Sequence, residues 1–228
     1  MFIFESSYFL FIIPPLLLSL WASWRTKSAF KKYSGIRTAS GMTGAQAAER
    51  LLQQAGINDV KIVQTAGVLS DHYNPVSKTL ALSQAVHSSS SVAAIGVACH
   101  EAGHAIQHAS GYFPLWLRSA LVPTAQIGSK LGYWVMVIGL FLASSTGPSV
   151  IYIGAALFSA TLLFQIVTLP VEFDASKRAK ELAFQYGIVL DQERAGMARV
   201  LNAAALTYVA AAISTLMTLL YFLSRARR

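Results

Sequence analysis

The sequence contains a single cysteine, Cys99, in 228 residues, so an intramolecular disulfide is excluded. Nothing in its cysteine usage points to an oxidising compartment. Charge is scarce as well. Asp, Glu, Lys and Arg together make up 12% of the chain, about half the ~25% of an ordinary soluble domain. The apolar share is 54% before glycine is counted, which excludes a disordered chain and argues against an ordinary soluble enzyme. Acidic residues are the rarer sign, 10 against 18 Lys and Arg, for a balance of +8. In so apolar a chain that excess reads as membrane-flanking charge, and no nucleic-acid partner is expected. Internal repeats and low-complexity tracts are absent.

What the chain has instead is long uncharged stretches. A helix needs roughly 20 apolar residues to cross about 30 Å of hydrocarbon. Ser6–Trp24, between Glu5 and Arg25, meets that length. Its Pro14 and Pro15 would kink the helix without abolishing it. No basic residue precedes it and no small-residue cleavage pattern follows, so it reads as a retained anchor. Leu131–Val171 carries no charge at all, and Ser145–Ser149 (STGPS) interrupts it with turn chemistry. The expectation is a helical hairpin, one span ending near Ala143 and the next covering about Val150–Leu169. Lys130, near the start of the first, can snorkel to the interface. A fourth, Ala-rich stretch, Val200–Ser224, ends in RARR.

Four spans place Arg25–Tyr112 and Val171–Arg199 on one side, with eight and five Lys/Arg respectively, against three at the C-terminus. The positive-inside rule then predicts that both face the cytosol and that the N-terminus lies outside. The terminal RARR opposes this assignment, and the larger charge set is taken to overrule it. The expected architecture is mainly α, a polytopic helical membrane protein with a small β element. Its segments are an N-terminal anchor (1–24), a first catalytic segment (25–112), a transmembrane hairpin (113–169), a second catalytic helix (170–199) and a C-terminal apolar helix (200–228).

Within Arg25–Tyr112, Thr43 and Gln46 form a Thr-x-x-Gln capping box, and Gly56 ends the helix of about twelve residues that follows. Val60–Gln64 and Lys78–Ser83 read as strands of a hairpin with Asp71–Val76 as its loop, where Asn74-Pro75 supplies the turn signal. Ser88–Ser91 precedes an Ala-rich helical run and supplies its N-cap.

That run contains His100-Glu101-x-x-His104. Residues four apart share a helix face, so both imidazoles reach one ion. Zinc accepts neutral imidazole nitrogen and, in catalytic sites, leaves a position for water. Glu101, turned about 100° from His100, lies beside His104. There it can contact the water that zinc activates, the position of a general base. The bland alternative is two surface histidines flanking a glutamate. It is disfavoured because the motif arises roughly three times in a thousand shuffled chains of this composition.

The third ligand must come from elsewhere. His108 continues the spacing, but eight residues of helix separate it from His100 by about 12 Å, too far for one ion. It is expected in a supporting, interfacial or surface role. Among the few acids, Glu172 follows the apolar hairpin directly, in LPVEFDAS. It is expected one turn into a new helix after Pro170. Two helices, one giving two His and the other one Glu, make a recognised catalytic zinc arrangement. The alternative for Glu172 is a charge favoured by a helix N-terminus. Asp174 and Ser176 are candidates for orienting a ligand imidazole.

ACHEAGHAIQ, GYFPLWLR and LPVEFDAS, with SGMTGAQAAERLL and LSDHYNP upstream, resemble the bacterial YugP-type family of membrane zinc peptidases. The resemblance covers about residues 25–200. It implies a zinc-dependent neutral endopeptidase of the bacterial cytoplasmic membrane, with His100, His104 and Glu172 as ligands of one zinc and Glu101 as base. More distantly the chain is similar to HtpX-type and CAAX prenyl proteases. Those carry Glu-x-x-x-Asp in the third-ligand helix, whereas the residue four after Glu172 here is Ser176.

Other residues have two readings each. His72 and Tyr73, in the expected loop with Asp71, are candidates to donate to the oxyanion of a tetrahedral intermediate. The adjoining strand is a candidate for pairing with an extended peptide. Cys99 reads as a small buried packing residue in preference to a ligand or redox switch, Arg118 as an interface anchor in preference to a partner of a site carboxylate, and His87 as a surface residue. The expected activity is hydrolysis of polypeptides, membrane proteins among them, by water on zinc activated by Glu101. The rival is a catalytically silent, zinc-stabilised scaffold or regulatory partner. A metal transporter is disfavoured because the later spans hold almost no ionisable residues.

Overall fold

A computed structural model describes residues 6–67, 69–143 and 145–227. Glu5 and Arg228, which help to bound the first and last apolar stretches, lie outside the described residues. The order of elements is α1 (Ser6–Ser34), α2 (Gly44–Gln54), β1 (Lys61–Thr65), β2 (His72–Asn74), β3 (Thr79–Ser83), α3 (Gln84–His87), α4 (Val92–Ala109), α5 (Phe113–Ile127), a π-turn (Gly128–Gly132), α6 (Tyr133–Phe141), α7 (Gly147–Gln185) and α8 (Asp191–Ala226). The chain divides into two compact units. One holds the residues up to Ala22, Leu117–Leu169 and those from Thr207; the other is Ser23–Trp116 with Pro170–Leu206.

The first unit is apolar helix packed on apolar helix. Its buried centre includes Met136, Ile151, Phe158, Tyr221 and Phe222. A Cβ on Gly132 would lie 2.6 Å from the Phe158 backbone nitrogen, and one on Gly154 would lie 2.6 Å from that of Met136. The hairpin expected from STGPS is present, between α6 and α7. Among the described residues, three helices are long and apolar enough to cross a membrane: Tyr8–Ser34, Gly147–Gln185 and Asp191–Ala226. The remaining expected span runs through α5, the π-turn and α6 with helical dihedrals on both sides of the turn, although neither α-helix, of 15 and 9 residues, suffices alone.

The second unit carries the polar segment. The capping box at Thr43 and Gln46 closes both ways, side chain to backbone in each direction, so α2 starts where its sequence dictates. Its buried Leu51 meets Leu80, Leu82, Ile95 and Met197 in one core. The sheet differs from expectation. β1 and β3 do not form a hairpin: they run parallel, Lys61 opposite Thr79 through Thr65 opposite Ser83. The assumed loop contains β2, which pairs antiparallel with β3, His72 opposite Ala81. The strand order is therefore β1-β3-β2. The buried run of β3 explains its central place, since Leu80 to Ser83 are all buried whereas β1 is largely exposed. Asp71 fastens the arrangement by accepting from the Ser83 backbone N–H at 2.7 Å and from its hydroxyl at 3.0 Å.

A second correction concerns α7. No new helix begins after Pro170, because α7 runs unbroken through it for 39 residues. A proline in a helix forgoes one backbone hydrogen bond, and long apolar helices tolerate that loss. Glu172 is accordingly a mid-helix residue, and a helix N-terminus does not explain it. From Val171 on, α7 presents Val171, Ala175, Ala179 and Ala183 at every fourth position, all fully buried.

This small-residue stripe lets α4 approach. A Cβ on Gly103 would lie 2.7 Å from the Ala175 carbonyl oxygen. Replacing Gly103 with Ala must push the two helices apart, at about 1–3 kcal/mol. The expected result is a lower unfolding temperature together with weakened zinc binding, measured on purified Gly103→Ala. An unchanged zinc affinity would show that the spacing of α4 and α7 does not set the site.

Candidate metal centre

The α4 helix begins at Ser91, whose hydroxyl accepts from the Ala94 backbone N–H, the N-cap anticipated for the serine run. Alanine and glycine make much of the helix surface, and it is buried almost all round. Two histidines and a glutamate in such a helix therefore need partners in the interior. His100 and His104 stand one turn apart with ring centroids at 4.7 Å. Glu172 reaches them from α7. Its Oε2 lies 3.2 Å from His100 Nε2 and 3.7 Å from His104 Nε2.

These separations suit a metal. Ligand atoms about 2.0–2.2 Å from a tetrahedral zinc sit roughly 3.4 Å from one another. One donor atom from each of His100, His104 and Glu172 falls within 4.8 Å of the others. The donor set, two imidazole nitrogens and one carboxylate oxygen, is one that zinc accepts. The side chains are 14%, 9% and 2% exposed, so the centre is sheltered while His100 keeps an open side. The residues present fit a zinc ion.

The proton affinity of His104 agrees with this crowding. Burial works to lower it, but the Glu172 carboxylate, the Glu101 charge and the Gln107 side chain together leave it above the ordinary imidazole value. Glu101 is buried at 7% exposure on the same helix. Cys99 is fully buried, and burial pushes its thiol up to about 12, which makes it an inert packing residue as expected.

Around the centre, the structure supplies partners that the motif does not name. His100 Nδ1 meets the Ser176 hydroxyl at 3.1 Å. His104 Nδ1 meets Gln107 Oε1 at 3.0 Å. Sequence reasoning passed over Gln107, although a lone amide three residues after His104 in an Ala-rich helix is a legible signal. Asp174 accepts from Gln107 Nε2 at 2.8 Å and from Arg178 Nε at 2.6 Å. His108 lies apart from the cluster, half-buried, with its Nδ1 at 2.8 Å from the Tyr73 hydroxyl. His72 is exposed on β2 and its Nδ1 bonds the Ser70 carbonyl at 2.8 Å. His87 bonds the neighbouring Ser88 hydroxyl. Arg118 is half-buried on α5.

Protons compete with a metal for the imidazoles. Because His104 holds its proton more tightly than a free imidazole, the apparent zinc affinity should begin to fall, as pH is lowered, above the ordinary value of about 6.5. In the metal-free protein the same raised proton affinity gives the opposite pH trend. Stability owed to protonated His104 is complete below the unfolded value and is lost as pH rises through the folded one. Chelator competition and thermal unfolding across pH check both, and a zinc affinity that stays flat down to pH of about 6.5 would contradict the first.

Comparison with known proteins agrees with this geometry. Residues 8–227 match the family described as "Putative neutral zinc metallopeptidase". The chain is 43% identical over 215 residues, 94% of each sequence, to a protein of Bacillus subtilis (strain 168) named "Putative membrane protease YugP". No solved structure matches it. A match spanning nearly the whole chain, on top of a sheltered His-His-Glu cluster suited to zinc, shows that this protein belongs to the family described as "Putative neutral zinc metallopeptidase".

Proposed function

We propose that the protein is a membrane-embedded, zinc-dependent neutral endopeptidase that cleaves polypeptides at the bacterial cytoplasmic membrane, with its site facing the cytosol. One observation carries the reading. His100, His104 and Glu172 converge from two helices on one sheltered point, and Glu101 is the next residue on the helix that supplies both imidazoles. In this reading the three hold one zinc per chain. When bound, zinc polarises the scissile carbonyl and lowers the pKa of water toward about 7.

Glu101 does the proton work. Its carboxylate takes a proton from the water whose oxygen bonds to the carbonyl carbon. It then delivers that proton to the amine nitrogen as the C–N bond breaks. Its place between the two imidazoles in the α4 sequence, together with its burial, supports this role. The hydrogen bond of His72 ties it to its own turn, and no step is assigned to it.

The charge distribution supports the sidedness. Eight Lys/Arg in Arg25–Tyr112 and five in Val171–Arg199 favour the cytosol if α1, the α5–α6 path, α7 and α8 all cross. Val76, 94% exposed in the turn between β2 and β3, offers a reporter position, and the buried Cys99 stays silent. In Val76→Cys, an impermeant thiol reagent should label permeabilised cells and leave intact spheroplasts unlabelled. Labelling of intact spheroplasts would invert the topology.

The catalytic test is hydrolysis of an unfolded, quenched-fluorescent protein by wild type and by Glu101→Gln at equal zinc content. Glu101→Gln should bind zinc normally and lose hydrolysis by at least about 100-fold, the lower range for a positioned base. Full activity in Glu101→Gln would remove the proposed base. Silence from both proteins would favour the scaffold reading.

A further inference from the structure

Two imidazoles face Glu172, and their rear nitrogens are held in different ways. His100 Nδ1 meets the Ser176 hydroxyl. A hydroxyl donates or accepts by rotating, so Ser176 accommodates a proton on either nitrogen of that ring. His104 Nδ1 meets an amide oxygen, Gln107 Oε1, and an amide oxygen only accepts. What remains is whether Gln107 could turn over and present its NH₂ to His104 instead.

The surroundings of Gln107 forbid it. Its side chain is fully buried, with 0% exposure. Nε2 donates at 2.8 Å to the Val171 carbonyl and at 2.8 Å to Asp174 Oδ2. Both partners are acceptors, so a turned amide would set its oxygen against two oxygens in the interior and leave its donors misdirected. Asp174 is fixed in turn by Arg178, one helical turn along α7. The Arg178 guanidinium lies over the Tyr112 ring at 5.7 Å. Every link in this chain therefore points one way. Arg178 donates to Asp174, Gln107 donates to Asp174 and to the Val171 carbonyl, and His104 donates from Nδ1 to Gln107.

We infer that Gln107 and Asp174 are positioning residues that lock His104 in the tautomer protonated at Nδ1, so that its Nε2 lone pair is always turned toward the metal position. The inference rests on the zinc reading of the His100, His104 and Glu172 cluster. It also divides the labour between the two histidines. His104 is the ligand with a preset ring, deep in the fold, whereas His100, with its adaptable serine and greater exposure, is the one whose ring can adjust. The part of α7 that supplies Glu172 supplies this control as well, since Val171 and Asp174 flank the ligand on the same helix.

The test uses the full chain in detergent, ¹⁵N-labelled at histidine, with the His104 resonances assigned by difference from His104→Gln. In the metal-free wild type, above the pH at which His104 loses its charge, its Nδ1 should carry the protonated-type shift and its Nε2 the lone-pair shift. Gln107→Met, which removes the acceptor behind Nδ1, should give a mixture of tautomers. Zinc affinity by competition with a chromophoric chelator should fall about 10–100-fold in Gln107→Met. It should fall to a smaller extent in Asp174→Ala, at a partly exposed position where folding is not in question. A wild-type His104 protonated at Nε2 would overturn the inference, as would wild-type zinc affinity in both Gln107→Met and Asp174→Ala. A wild type that shows the expected tautomer and binds no zinc would support the lock and overturn the zinc reading on which it was built.

Discussion

The site depends on one close contact between helices. Gly103 lies against the Ala175 backbone with no room for a side chain between them. That approach allows a carboxylate on α7 to reach two imidazoles on α4 at 3.2 and 3.7 Å. The small-residue stripe of α7 and the alanines of α4 serve the same approach. A larger residue at Gly103 would clash with the Ala175 backbone and force the helices apart, leaving the ligands too far apart to share an ion. Close backbone packing is thus the physical condition for the metal centre, and the polar partners around it come from the same two helices.

Burial without water also sets how those polar groups are arranged. A buried acceptor facing another acceptor is costly, so each link must have a donor on one side. Gln107 meets the condition with both ends of its amide, and Asp174 with two donors. The two ligand imidazoles are backed by different groups. A hydroxyl suffices behind His100, and the acidic anchor, Asp174, acts instead through Gln107 on His104.

Much of this was legible in the sequence because it depends on short-range spacing. Histidines four apart on a helix, the Thr43–Gln46 capping box and the Ser91 cap are local and came out as read. Glu172 stands out among few acids and does join the two histidines, yet the local reason, a helix starting after Pro170, is one that the structure corrects. The sheet was misread because turn signals between two apolar runs suggest a hairpin. The runs instead pair in parallel, and β2 fills the gap between them in sequence. Which strand takes the centre depends on burial against the helices, a long-range matter. The contact of Gln107 with His104 is local, but the two acceptors that orient its amide, Val171 and Asp174, lie more than 60 residues away in sequence.

The central claim is that a single zinc is held by two nitrogens and one oxygen from the protein. X-ray absorption at the zinc edge on the purified, metal-loaded protein tests it directly. The account predicts one zinc per chain with two imidazole nitrogens at about 2.0–2.1 Å, light oxygen scatterers, and no sulfur. Loss of one imidazole contribution in His104→Ala would assign the ligand. A sulfur scatterer near about 2.3 Å, which only Cys99 or a methionine could supply, or a wild-type spectrum unaltered in His104→Ala, would contradict it.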